Sequence, residues 1–215
     1  MLKKLLIANR GEIAVRVIRA ARDLGIATVA VHSDADAEAL HVMIADEAVN
    51  IGPPAAKKSY LNVEAILKAA ADTGCDSVHP GYGFLAENAA FSDAVTAAGM
   101  VFVGPSGDAI RLMGDKVAAR SAAAAAGVPV VPGSTGRVAG IEEARHILTE
   151  TGFPVMIKAA AGGGGRGIRI AGNLAEFEQA FPQAEAEALA AFGDGGLYME
   201  KVIGQARHIE VQVLG

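Results

Sequence analysis

Tryptophan is absent from the 215 residues, aromatic side chains make up 5%, and cysteine occurs once. A single cysteine excludes an internal disulfide and a cysteine-built zinc site, and it suits a reducing compartment. Cys75 follows Gly74 at an apparent helix end and reads as a structural thiol. No Walker A sequence occurs, so a P-loop is not expected. An excess of positive charge is also lacking. The formal net charge of −5 argues against a general binder of nucleic acid or of an anionic membrane. The apolar start, Leu5-Leu-Ile-Ala8, meets Asn9-Arg10 too soon for a signal peptide or a membrane span. The expectation is a cytoplasmic protein with no nucleic-acid or membrane partner.

What the chain does contain is apolar residues (52%) and 26 glycines, ample for a buried core with many turns. Strand-like runs at 3–8, 27–32, 47–51, 77–79 and 101–103 alternate with helical patterns, which predicts a mostly parallel sheet covered by helices. In the helix expected at 12–24, Ile13, Ala14, Val17, Ile18, Ala21 and Leu24 share one face, while Arg10, Arg16, Arg19 and Arg22 lie largely elsewhere. The organisation changes near Asp115. A helix at 116–126 and an extended linker at 128–133 lead to an amphipathic helix at 141–151. A long helix at 173–192, tolerating or breaking at Pro182, precedes two strands at 197–203 and 206–214. The last alternates, with His208, Glu210 and Gln212 on one side and Ile209, Val211 and Val213 on the other. It reaches the end of the sequence with nothing to pair beyond it, so the domain is expected to be incomplete.

Between these helices lies Phe153-Pro-Val-Met-Ile-Lys158-Ala-Ala-Ala-Gly162-Gly-Gly-Gly165-Arg166-Gly167-Ile-Arg-Ile170. Gly162, Gly164 and Gly167 satisfy the dinucleotide spacing, but that fingerprint requires a strand before it and a helix after it. Here both flanks read as strands, so the glycines form the tip of a hairpin. Such a tip offers several backbone N–H groups to a polyphosphate, with Lys158 and Arg166 as flanking cations. Lys116 is a third cation. Tyr198-Met-Glu200-Lys201-Val202-Ile203 offers an apolar strand for a base, with Glu200 able to accept an exocyclic amine. A surface turn and an exposed Glu–Lys pair are the plainer readings of these features.

A second candidate site is His79-Pro-Gly-Tyr82-Gly83-Phe-Leu-Ala-Glu87-Asn88, which follows a strand and opens a helix where α/β sheets bind ligands. It reads equally well as a tight turn with Glu87 in a first helical turn. Asp34 and Asp36 follow the second strand and are expected to cap a helix.

These residues, together with Ile7-Ala-Asn-Arg-Gly-Glu-Ile-Ala-Val-Arg16, Ala45-Asp-Glu-Ala48, Ser59-Tyr-Leu-Asn62, Met113-Gly-Asp-Lys116 and Arg207-His-Ile-Glu-Val-Gln212, resemble the N-terminal half of biotin carboxylase. That family is the ATP-grasp component of acetyl-CoA, propionyl-CoA and pyruvate carboxylases. The resemblance implies an α/β fold: a Rossmann-like parallel sheet over 1–113, then the first part of an ATP-grasp domain over 114–215, with a lid at about 133–203. It assigns Lys116, Lys158, Gly164, Gly165, Glu200, Lys201, Val202, Ile203 and His208 to ATP, and Tyr82, Gly83 and Glu87 to the biotin and bicarbonate side. The implied reaction is activation of bicarbonate by ATP to carboxyphosphate, then carboxylation of biotin carried by a partner. The implied partners are a biotin carboxyl carrier, a carboxyltransferase and a second copy, with Arg16 and Arg19 near that copy. In the family the catalytic residues and the magnesium ligands lie beyond the point matching Gly215, so no metal ligand is assigned here and the chain alone is expected to be inactive. The alternatives are a non-catalytic nucleotide-binding module and another ATP-grasp ligase; a dinucleotide-dependent oxidoreductase is disfavoured by the hairpin setting of the glycines.

Overall fold

The structure, a computed structural model, describes residues 2–160, 168–209 and 211, with all of their side chains except those of Lys116 and Phe192. Contacts divide the chain into two compact units, Met1–Lys116 and Val117–Gly215.

In the first unit, β1 (Lys4–Ile7) is the centre of a five-stranded parallel sheet of order β3-β2-β1-β4-β5, with β2 at Ala27–His32, β3 at Glu47–Asn50, β4 at Ser77–His79 and β5 at Val101–Phe102. Leu6 aligns with Val29 on one side and Val78 on the other. The pleat explains the continuous Leu5-Leu6-Ile7 run. Leu6 enters a core with Val29, Val31, Tyr60, Ile66 and Phe91, whereas Leu5 and Ile7 enter one with Ala14, Val17, Ile18 and Ala21. The latter four are the buried stripe of α1 (Gly11–Asp23), repeating at helical spacing as expected. Helices α2 (Leu40–Ile44), α3 (Val63–Asp72), α4 (Ala89–Ala97) and α5 (Gly107–Gly114) complete the unit. The side chains of Asn62, Asn88 and Ser106 accept the first free N–H groups of α3, α4 and α5.

Asp34 and Asp36 do not cap a helix. They lie in a single 3₁₀ turn, where Asp34 accepts from the Asn50 amide at 2.7 Å and Asp36 accepts from the hydroxyls of Ser33 and Tyr60, each at 2.7 Å. Burial raises the Asp36 pKa, but these hydroxyls and Arg10 outweigh it and hold the carboxyl below its ordinary value. Burial and Asp36 together push the Tyr60 hydroxyl up to about 12.

His41 on α2 is 1% exposed, its Nε2 lies 3.3 Å from the Val31 carbonyl, and its Nδ1 has no hydrogen-bond partner among the described residues. Burial lowers its pKa below the ordinary 6.5, against the opposing pull of the Val31 carbonyl. Between 6.5 and that lower value the unfolded chain takes up a proton that the native one refuses. The stability from neutral His41 is therefore full above the unfolded pKa and is lost as pH falls through the folded one; half-buried His79, whose pKa is also lowered by burial, acts in the same sense. The thermal midpoint should fall between pH 7 and pH 5, and His41→Gln should flatten part of that slope; an unchanged slope would refute the assignment.

The second unit contains α6 (Lys116–Ala125, which starts at the boundary), α7 (Ile141–Thr151), β6 (Val155–Ala159), β7 (Arg169–Ala171), α8 (Leu174–Phe192) and β8 (Leu197–Lys201). The strands form an antiparallel sheet of order β7-β6-β8. The hairpin expected around the glycines is present as β6 and β7; its tip, 161–167, lies outside the described residues. Phe177, Phe181, Ala184 and Ala188 of α8 pack with Ala144 and Leu148 of α7 on the apolar side of this sheet. The helix continues through Pro182. Asn173 accepts the Glu176 N–H and Glu176 accepts the Gly172 N–H, a reciprocal arrangement that fixes the helix start.

The strand expected at 206–214 does not form over its described part. Residues 206–209 and 211 belong to no strand, and Ile209 and Val211 are 77% and 79% exposed. Alternation supplies an apolar face, but a strand also needs a neighbouring backbone. Glu210 and 212–214 lie outside the described residues.

Candidate nucleotide site

On β6, Val155, Ile157 and Ala159 point into the core, leaving Met156 and Lys158 on the opposite face. On β8, Leu197 and Met199 are buried, leaving Tyr198 and Glu200 outward. The register sets Lys158 against Tyr198 and Met156 against Glu200. The Lys158 ammonium donates to the Glu200 carboxylate and lies 5.5 Å from the centre of the Tyr198 ring. Burial alone would lower the Lys158 pKa; Glu200 reverses this, so it stands above its ordinary value. The pairing thus favours the charged form of Lys158, which stands near the end of β6, just before the glycine run.

The outer edge of β8 is covered by the linker after α6. Ser134 N–H donates to the Met199 carbonyl at 2.9 Å, Lys201 N–H donates to Pro132 at 2.8 Å, and Gly133 bridges Glu200. Gly133 is required by this close approach, because a Cβ there would fall 2.2 Å from the Met199 carbonyl oxygen.

Among the residues expected at the nucleotide, the structure brings Lys158 and Glu200 together. Lys201 is turned elsewhere, its ammonium donating to the Phe153 carbonyl at 2.6 Å. Val202 N–H is engaged by the Pro154 carbonyl at 2.9 Å, whereas no hydrogen bond from Ile203 N–H occurs among the described residues. Ile203 is 55% exposed, and His208 is also exposed. Gly164, Gly165 and Arg166 lie outside the described residues, as does the side chain of Lys116.

Sequence reasoning missed Arg120. Its guanidinium lies 3.6 Å from Glu200 and donates to the Val131 carbonyl. The available signal was a basic residue four positions after Lys116 in the helical pattern expected at 116–126.

In the first unit, the second candidate loop begins at the point where the strand order reverses. Asn9, 3% exposed, donates to the carbonyls of Pro80 and Tyr82, each at 2.8 Å. Gly81 has φ +64°, and a Cβ there would meet Asn9 Nδ2 at 2.7 Å. The Arg10 guanidinium stacks 5.3 Å from the Tyr60 ring and 5.7 Å from that of Phe84. Tyr82, Gly83 and Glu87 are exposed, with the Tyr82 hydroxyl donating to Glu12. Glu87 precedes the Asn88 cap rather than sitting in the first turn of α4.

Residues 1–110 match the family model described as biotin carboxylase, N-terminal domain. The chain belongs to the biotin carboxylase family. Residues 115–215 match the carbamoyl-phosphate synthase L chain, ATP binding domain. Biotin carboxylase 1 of Bacillus subtilis is 57% identical over 214 residues, which cover 100% of this chain and 48% of that protein. The propionyl-CoA carboxylase alpha chain of Ruegeria pomeroyi is 52% identical, with 100% and 31% covered. Among solved structures, the biotin carboxylase domain dimer of Hydrogenobacter thermophilus 2-oxoglutarate carboxylase, in complex with MgADP, ADP and bicarbonate, is 50% identical at a TM-score of 0.78, covering 95% of this chain and 45% of that one. The Campylobacter jejuni biotin carboxylase complex with β,γ-ATP is 47% identical at a TM-score of 0.81, with 94% and 46% covered. This family member thus spans about half the length of the biotin carboxylases it matches. No described helix is long and apolar enough to cross a membrane.

Proposed function

We propose that the protein is the ATP-binding part of a biotin carboxylase, which uses ATP to activate bicarbonate as carboxyphosphate and then carboxylates biotin. The observation that carries this reading is the Lys158–Glu200 pair on the outward face of the β6–β8 ladder, where β6 leaves for the glycine run. Lys158 would take the phosphates and Glu200 the exocyclic amine of adenine. Ile203 N–H would serve a ring nitrogen, since the neighbouring Lys201 and Val202 N–H groups already have partners. Lys116, Gly164 and Gly165 would add phosphate contacts, Lys201, Val202 and His208 would line the nucleotide, and Tyr82, Gly83 and Glu87 would serve biotin and bicarbonate. Chemistry of this kind depends on positioning and charge stabilisation rather than on covalent catalysis by the protein.

The domain limits belong to the same proposal: 1–113 for the first domain, 114–215 for the ATP-grasp part and about 133–203 for its lid. Magnesium, bound together with the nucleotide, would add charge stabilisation at the phosphates. A homodimer, a biotin carrier, a carboxyltransferase and a cytoplasmic setting complete the reading.

The test is binding of ATP and NADH to the 215-residue protein by calorimetry. Saturable ATP binding without NADH binding is expected. Absence of ATP binding, or preference for NADH, would sink the reading.

A further inference from the structure

Glu200 serves two cations. One carboxylate oxygen takes Lys158 and the other lies 3.6 Å from Arg120, while the three side chains are only 20–24% exposed. Arg120 is anchored independently of that carboxylate by its donation to the Val131 carbonyl. It thereby ties α6, the linker and β8 at one point.

We propose that Arg120 is a positioning residue of the nucleotide site, keeping Glu200 paired and in place when Lys158 leaves it for a phosphate. This deepens the ATP-binding reading and rests on it. A polyphosphate and Glu200 compete for the same ammonium. If Lys158 turned away with no other cation present, a largely buried carboxylate would be stranded, a costly state. Arg120 removes that cost. Its guanidinium is always charged, and its planar fork donates to the Val131 carbonyl through one nitrogen while the other faces the carboxylate at 3.6 Å, so it need not follow Lys158. Glu200 then keeps lone pairs for the purine amine.

Because the cost arises only when Lys158 moves, Arg120 should matter for ligands bearing phosphates and not for the bare nucleoside. The experiment measures ATP by calorimetry and adenosine by ligand-observed NMR, using the 215-residue protein and its R120M, R120K, E200Q and R120M/E200Q variants. R120M should weaken ATP about tenfold, the scale of one hydrogen bond to a charged group, and adenosine less than about twofold. R120K should recover only part of the loss, since it keeps the charge but not the fork, and the effect of R120M should vanish in the E200Q background. An equal loss for ATP and adenosine, or an undiminished loss in the E200Q background, would overturn the role of Arg120 while leaving the nucleotide site standing. A parent protein that binds neither ligand would overturn both. Should R120M fail to fold, the wild-type, R120K and E200Q measurements decide: R120K must weaken ATP more than adenosine, or the proposal fails.

Discussion

Gly133→Ala is expected to destabilise the second unit by about 3 kcal/mol, combining an overpacking cost of roughly 1–3 kcal/mol with the loss of at least one hydrogen bond worth about 1 kcal/mol. The new methyl carbon would lie 2.2 Å from the Met199 carbonyl oxygen and 2.9 Å from the Glu200 Cα. Both are backbone atoms of β8 and cannot turn aside. The linker must therefore lift, stretching the bonds from Lys201 N–H to Pro132 and from Ser134 N–H to Met199. ATP affinity should fall with stability, because Glu200 sits at the point of collision. Gly136→Ala is the control: a Cβ there meets nothing within 4 Å, and the change should stay below about 1 kcal/mol. Urea midpoints of the two variants decide the matter, and equal midpoints would show that the close approach is not what selects glycine.

Lys158→Met should weaken ATP binding by about 10- to 100-fold, the equivalent of roughly 1.5–3 kcal/mol for a hydrogen bond between an ammonium and a phosphate. Methionine keeps most of the length and apolar contact of the lysine stem, so the readout isolates the charge. The wild-type protein makes a companion prediction. Since Glu200 holds the Lys158 pKa above its ordinary 10.5, the ammonium persists below that value and is lost only as pH rises through the folded pKa. ATP binding should consequently show no loss attributable to this lysine between pH 7 and pH 9. A decline in that range that disappears in Lys158→Met would contradict the pairing.

The βα alternation of the first unit was legible because each strand is a short apolar run between helices with a clear buried stripe, as in β1 and α1. The hairpin was legible because the residues on both sides of the glycines read as strands, which separated it from a dinucleotide loop. Arg120 was harder: its partners stand at 131 and 200, and no local pattern announces a pairing across such separations. Asp36 misled for a related reason. Local rules favour an aspartate as a cap, but the Tyr60 hydroxyl, 24 residues away, claimed its carboxylate. The segment after β8 misled because period-two patterning describes a face and says nothing about a neighbour for its backbone.

The two hydrogen bonds from Asn9 also bear on the order in which the chain acquires its shape. They span 71 and 73 residues, so the turn carrying Tyr82 cannot settle until β1 and β4 have come together. Closing so long a loop is slow compared with forming α1 beside β1. The surface formed by residues 81–87 therefore depends on the β1–β4 pairing and cannot be completed by the early βα unit alone.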